Sequence, residues 1–314
     1  MIFAGKPDRF ADAAVLICTR NRQDALSKCV NSILCQTLLP AVLIIVDSSD
    51  HLGVEIAIRE GVEAFGIALE YYRSAPGLAL QRNIGVMAAR NSVIVFLDDD
   101  TVLECLYIEG IMSVFERDST KIVGGVQGSF VSKHTVRRLG LWFRRFFMLP
   151  GATGLGRMQP SGFPSYVDLP AEEIDVEVIC GGNTAYRREV LGEFRWDERF
   201  KGYSYMEDDD FSYRVGKVYR LVQTPKALLI HEHVASGRDD AIKRVRMEVR
   251  NHALFFSLNM AKSLLTIFSF VWSEIGCSIL TLRTHGLKAL ACRGVEYLRL
   301  RITLRRAIEK SLEN

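Results

Sequence analysis

The sequence predicts an α/β fold: a mostly parallel sheet with helices on both faces. Short β-branched and aromatic runs alternate with segments of helical periodicity through residues 13–101, the pattern of repeated βα units. The run Val93, Ile94, Val95, Phe96 and Leu97 carries no polar residue inside it, so it reads as a strand covered on both faces. Polar clusters close three of the runs, near Thr19, Asp47 and Asp98. Open sheets of this class bind ligands beyond the carboxyl ends of their strands.

In order along the chain, residues 13–18 form the first strand, which ends in Thr19, Arg20, Asn21 and Arg22. Residues 24–38 read as a helix because Leu26, Val30, Ile33 and Leu34 share a face, with Pro40 closing it. A strand over 41–46 ends in Asp47, Ser48, Ser49 and Asp50; a helix over 55–65, a strand over 68–72 and a helix over 80–89 lead to the strand that starts at Val93. Residues 122–131 read as a strand of the second half, where Gly124 and Gly125 imply close approach of a backbone or a ligand. The glycine- and proline-containing stretch 151–166 reads as a loop long enough to be functional or mobile. Residues 177–180 deliver Gly181, Gly182 and Asn183, and 184–191 turn from strand to helix. Phe211, Val215 and Val218 mark a helix that starts with Glu207, Asp208, Asp209 and Asp210; a strand over 227–230 ends in His231, Glu232 and His233. From Asp240 the chain reads as helix to its end.

A chain of 314 residues with 48% hydrophobic and 25% charged residues can bury a large core. A net charge of +3 and a pI near 8.4 are too mild to imply a nucleic-acid partner. The seven cysteines are scattered without zinc-ligand spacing, which fits buried thiols in a reducing compartment. Residues 1–12 show no apolar stretch of the secretory kind.

The triplet Asp98, Asp99 and Asp100 is the chemical centre of the sequence. Adjacent carboxylates repel unless a cation or donors compensate them, and a hard divalent ion such as Mg²⁺ or Mn²⁺ takes oxygen ligands and shares its shell with phosphates. The alternative is a solvated turn in which Asp100 caps the next helix. Neither a GxxxxGK[ST] loop nor a GxGxxG turn after the first strand is present, which disfavours P-loop and dinucleotide chemistry.

Ordered blocks over residues 13–235 resemble the family-2 glycosyltransferases of the GT-A type. They are Cys18-Thr19-Arg20-Asn21-Arg22, Ser32-Ile33-Leu34-Cys35-Gln36-Thr37, Val46-Asp47-Ser48-Ser49, Gln81-Arg82-Asn83-Ile84-Gly85, Leu97-Asp98-Asp99-Asp100, Gly181-Gly182-Asn183 and Glu207-Asp208-Asp209-Asp210. The resemblance implies an inverting transfer of a sugar from a nucleotide-diphosphate donor to an acceptor hydroxyl. It implies that Asp47 meets the base, that Asp98 faces the nucleotide and Asp100 the metal, and that His231, or alternatively His233, completes the metal shell. Asp208 is the implied general base, with Glu207 as its neighbour. Thr19, Arg20, Asn21, Arg22, Arg82, Asp99, Gly182 and Asn183 belong to the donor site on this reading, with Asp99 the most replaceable of the triplet. Arg82 reads either as a ligand of the base or diphosphate or as a structural ion-pair partner, and Arg214 as an ion-pair partner of the acidic cluster. Residues 236–238 read as a flap. The alternatives are a sugar-nucleotide nucleotidyltransferase, whose glycine-rich basic loop residues 19–22 do not supply, and a non-catalytic carbohydrate-binding relative at a membrane.

Residues 1–239 are thus expected to form a GT-A catalytic domain, with a nucleotide half over about 13–101 and an acceptor half over 102–239. Residues 240–314 form a helical extension. Two segments bear on location. Residues 136–149 interleave Trp142, Phe143, Phe146 and Phe147 with Arg137, Arg138, Arg144 and Arg145, which suits either a membrane surface or a packed helix. Residues 263–282 are long enough to cross a bilayer, but Glu274 makes crossing costly. With the basic residues after Arg283, peripheral attachment to the cytoplasmic face of a membrane is expected, with a glycan or lipid-linked acceptor in bacterial-type cell-surface polysaccharide or glycolipid synthesis; a helical oligomerisation element is the alternative.

Overall fold

The computed structural model describes residues 10–51, 53–131, 138–151, 154–201, 205–232 and 240–312. Its first half is a run of parallel strands: β1 (Phe10–Thr19), β2 (Leu39–Asp47), β3 (Ala68–Arg73) and β4 (Val93–Asp98), in the order β3-β2-β1-β4. Helices α1 (Gln23–Leu34), α2 (Val54–Ala64) and α3 (Leu78–Ala88) connect them. Strand alternation divides the core. Val15, Ile17, Val95 and Leu97 pack with Leu26, Ile33 and Val62 on one face, while Leu16, Phe96, Tyr186 and Phe211 meet on the other. The helix expected over 24–38 ends at Leu34, and Pro40 lies in β2 opposite Ala11 rather than closing a helix.

The second half contains β5 (Thr101–Leu103), α4 (Tyr107–Arg117), β6 (Val123–Phe130), α5 (Arg138–Phe146), β7 (Arg157–Met158), β8 (Pro164–Ser165), β9 (Ile174–Val176), β10 (Asn183–Arg187), α6 (Arg188–Glu193), α7 (Glu207–Gly216) and β11 (Arg220–His231). Strand β10 joins β4 antiparallel, and the sheet continues through β6 and β11 to β5. Since β5 separates Asp100 from α4, Asp100 is not a helix cap. The strand expected over 227–230 extends back to Arg220. Its register against β6 shifts between Gln223 and Leu228, around Pro225, as a residue without an N–H requires. Gly124 and Gly125 admit the side chains of Tyr219 and Tyr186, not a backbone or a ligand.

Helices α8 (Ala241–Asn259) and α9 (Leu264–Leu312) complete the described chain. Gly286, at φ 78°, breaks α9 into two arms, and the Arg293 guanidinium of the second returns to Glu274 of the first. A third apolar cluster, with Phe147, Leu149, Phe163 and Phe255, joins α5, the 151–166 loop and this hairpin.

Candidate active site

Two strand ends build the centre of the site. Asp98 is the last residue of β4, Asp100 follows in the turn to β5, and His231 closes β11 opposite Thr101. The Glu232 N–H donates to the Asp100 carbonyl at 2.9 Å, which fixes the crossing of the two segments. The His231 Nε2 lies 2.9 Å from Asp100 Oδ1 and 4.0 Å from Asp98 Oδ2, and one ligand atom from each of the three residues falls within 4.8 Å of the others. Two carboxylates and an imidazole form a donor set that fits Mg²⁺ or Mn²⁺. Asp98, expected on the nucleotide side, stands in this cluster. His233 and the expected flap 236–238 lie outside the described residues.

Asp99 turns the other way and is 4% exposed. It accepts from Thr19 Oγ1 at 2.7 Å and from Arg22 Nη1 at 2.9 Å, and Arg22 also reaches Asp100 at 3.4 Å. Burial raises the Asp99 carboxyl to about 6, against the pull of Arg22 and Thr19. Asp99, expected to be the most replaceable acid of the triplet, thus ties the end of β1 to the turn that carries Asp100. Arg22 and Thr19, expected on the donor, hold this turn from inside. Arg20 and Asn21 lie nearer the surface and engage Asp50, at 3.7 and 2.7 Å.

At the end of β2 the fully buried Asp47 accepts from the Ser49 N–H at 2.7 Å, from Arg73 Nη1 at 2.7 Å and from the Tyr71 hydroxyl. Tyr71 and Arg73 went unread in the sequence. Their spacing of two on a strand, which puts both on one face, was the available signal.

The third component is a buried arginine. Arg82 of α3 is 3% exposed, contacts the Asp208 carboxylate directly and Glu207 at 3.3 Å, and lies 4.0 Å from Asp98. Burial works against its charge, yet Asp208 and Glu207 raise its pKa above the ordinary arginine value. Trp196, a residue no motif flagged, donates its indole N–H to Asp208 at 3.0 Å while its ring stacks on Phe211 at 3.8 Å. The four acids of α7 separate in direction. Glu207 and Asp208 face Arg82, Asp209 accepts from the Tyr166 hydroxyl, and Asp210 accepts from Arg214 and Asn259. Burial raises Asp209 to about 7. Met206, before the helix, has φ 66°, an unusual conformation for a side-chain-bearing residue that the packed surroundings must sustain.

The glycine pair explains how these acids come together. A Cβ on Gly181 would lie 1.8 Å from Asp208 Oδ2, and one on Gly182 would lie 2.1 Å from the Asp98 carboxyl carbon. Asn183 is fully buried, and its Oδ1 accepts from the Tyr107 hydroxyl at 2.7 Å, which ties β10 to α4. A cavity of about 410 Å³ lies beside the acids, lined by Asp98, Gly182, Asp208, His231, Phe163 and Tyr166, among others.

Residues 14–195 match the family model described as glycosyl transferase family 2. The chain belongs to glycosyl transferase family 2. It is 22% identical over 182 residues to the glucosyl-dolichyl phosphate glucuronosyltransferase of Haloferax volcanii, a match covering 57% of this chain and 54% of that protein. The chain thus spans about half the length of the curated relative it matches. Among solved structures it resembles GalNAc-T7 with UDP, GalNAc and Mn²⁺, at a TM-score of 0.57 and 16% identity over 84% of this chain and 54% of that one. It also resembles the mannosyltransferase PcManGT of Pyrobaculum calidifontis with GDP-Man and Mn²⁺, at a TM-score of 0.52 and 17% identity over 94% and 82% of the two chains. These likenesses establish the GT-A fold for this family-2 chain.

Proposed function

We propose that this chain is a metal-dependent, inverting glycosyltransferase that moves a sugar from a nucleotide-diphosphate donor to an acceptor hydroxyl. The observation that carries the reading is that Asp98 and His231 of the ligand cluster and the Asp208 carboxylate line one cavity. Asp98, Asp100 and His231 would hold a divalent ion, which when bound would supply Lewis-acid stabilisation of a departing diphosphate. The chain's own groups do the rest. Asp47, with Tyr71 and Arg73 beside it, is suited to reading the nucleoside at the end of β2. Asp208 takes the proton of the attacking hydroxyl. Arg82 and the Trp196 indole orient that carboxylate, and Glu207 shares the same guanidinium. With the acceptor oxygen itself displacing the diphosphate, one displacement inverts the anomeric centre.

A glycan or lipid-linked acceptor, at the cytoplasmic face of a membrane, completes the reading. The Haloferax relative supports a lipid-linked one through its name. Residues 1–239 serve as the catalytic unit and 240–314 as its appendage on this view. Calorimetric titration with a panel of nucleotide sugars, with and without Mn²⁺, tests the proposal. At least one should bind only with metal, and Asp208→Asn should retain that binding while losing transfer by roughly a thousandfold. Absence of metal-dependent binding across the panel refutes the reading.

A further inference from the structure

The first arm of α9 exposes most of its large apolar side chains. Its side towards the protein carries Ser269, Ser273 and Glu274, all buried, beside Phe270, Cys277 and Leu280, while Phe268 is 60% exposed and Leu264, Leu265, Val271, Ile275 and Ile279 are exposed on the other side. A helix that covers a water-soluble core shows the reverse arrangement. Hydrogen-bonding and small residues inward with large apolar ones outward is the packing of a helix whose outer medium is hydrocarbon. Glu274, the residue that makes membrane burial of this segment costly in the sequence, does not face outward. It is held by His252 of α8 and by Arg293 of the second arm.

The neighbouring surface continues the pattern. Gly276 sits so close to Phe147 that a Cβ there would lie 2.4 Å from it. Trp272 donates to the Phe146 carbonyl at 2.7 Å and packs against Phe268, so the outward face runs on into α5. There Trp142 is 72% exposed, with Arg145 exposed beside it, and Arg283 and Lys288 are exposed at the tip of the hairpin. Indole and cationic side chains at the border of an apolar face match a lipid headgroup region. Because the end of α5 and the adjoining Phe147 cover the arm at Trp272 and Gly276, and α8 covers it at Glu274, the arm is suited to lie along a membrane rather than cross it.

We propose that the outward face of residues 264–282, extended by Trp142 and Phe146, is a docking surface for an anionic lipid bilayer. The inference does not depend on the transfer reaction. It is tested by floating the full chain with vesicles of phosphatidylcholine, with and without phosphatidylglycerol. The protein should float with the anionic vesicles, and more weakly as salt rises. The double variant Phe268→Glu, Ile275→Glu should lower the bound fraction about tenfold with an unchanged thermal melt, since both side chains are exposed. On the unaltered protein, brominated lipid should quench tryptophan emission, and Trp142→Phe should remove part of that quenching. Absence of flotation and quenching overturns the proposal. So does a folded double variant that binds as the parent does, or an apolar face whose alteration only converts a dimer to a monomer.

Discussion

Asp99 shows how little a motif says about the direction of its members. Three consecutive aspartates gave no reason to treat the middle one as structural, because the turn that reverses it becomes visible only with β5 in place. Asp99→Ala leaves Arg22 buried beside Asp100 without its nearer partner. We expect it to cost about 3 kcal/mol in urea unfolding and to weaken metal-dependent donor binding as well; a variant as stable as the parent would contradict this. Asp209 gives a pH dependence. Its folded pKa of about 7 stands above the ordinary 3.8, so between these values the folded chain keeps a proton that the unfolded chain has released. Stability therefore falls as pH rises through that window, and the contribution is complete only below it. Asp209→Asn should be more stable than the parent by about 2 kcal/mol at pH 8, with the gap closing towards pH 4, in paired urea titrations. A gap that widens towards acid would reverse the assignment.

At the scale of elements, the first half was legible because β1, β2 and β4 carry long apolar runs and the intervening segments have helical periodicity. The triplet and the block of acids on α7 were likewise visible in the sequence, as was Arg214 as a partner of that block, with Arg82 readable as either a donor ligand or an ion-pair partner, whereas Trp196 and Tyr166 were not. Arg82, Trp196 and Tyr166 reach the acids across sequence separations of 126, 12 and 43, and no local pattern encodes such meetings. Pro225 hid most of β11, since a bulge reads locally as the end of a strand. The Gly181–Gly182 turn offers a paired test, because its neighbours are the two carboxylates that the proposed chemistry separates by role. Gly181→Ala should displace Asp208 and lower kcat at least about tenfold with donor affinity kept. Gly182→Ala should displace Asp98 and weaken metal-dependent donor binding instead. Identical kinetic profiles for the two would show that the turn acts as one structural unit.

For the whole molecule, the C-terminal hairpin is tied to the cavity wall by one chain of contacts. Glu274 holds His252, whose ring stacks on Phe163 at 3.7 Å and whose Nε2 meets the Ser161 carbonyl at 2.9 Å. Glu274→Leu removes the acceptor for both His252 and the buried Arg293. It should cost about 3 kcal/mol, read as a lowered melting temperature; an unchanged melt would show that the hairpin is only loosely attached. The sequence made this helix look like a compromised membrane segment because composition cannot say which way a side chain points. The crossing of β11 over the turn at Asp100 has a further meaning in the order of synthesis. The third member of the cluster is made 131 residues after the second. A ribosome-bound chain in which His231 has not yet emerged holds the two aspartates of the cluster without its imidazole, so the three side chains can meet only after β11 has been made.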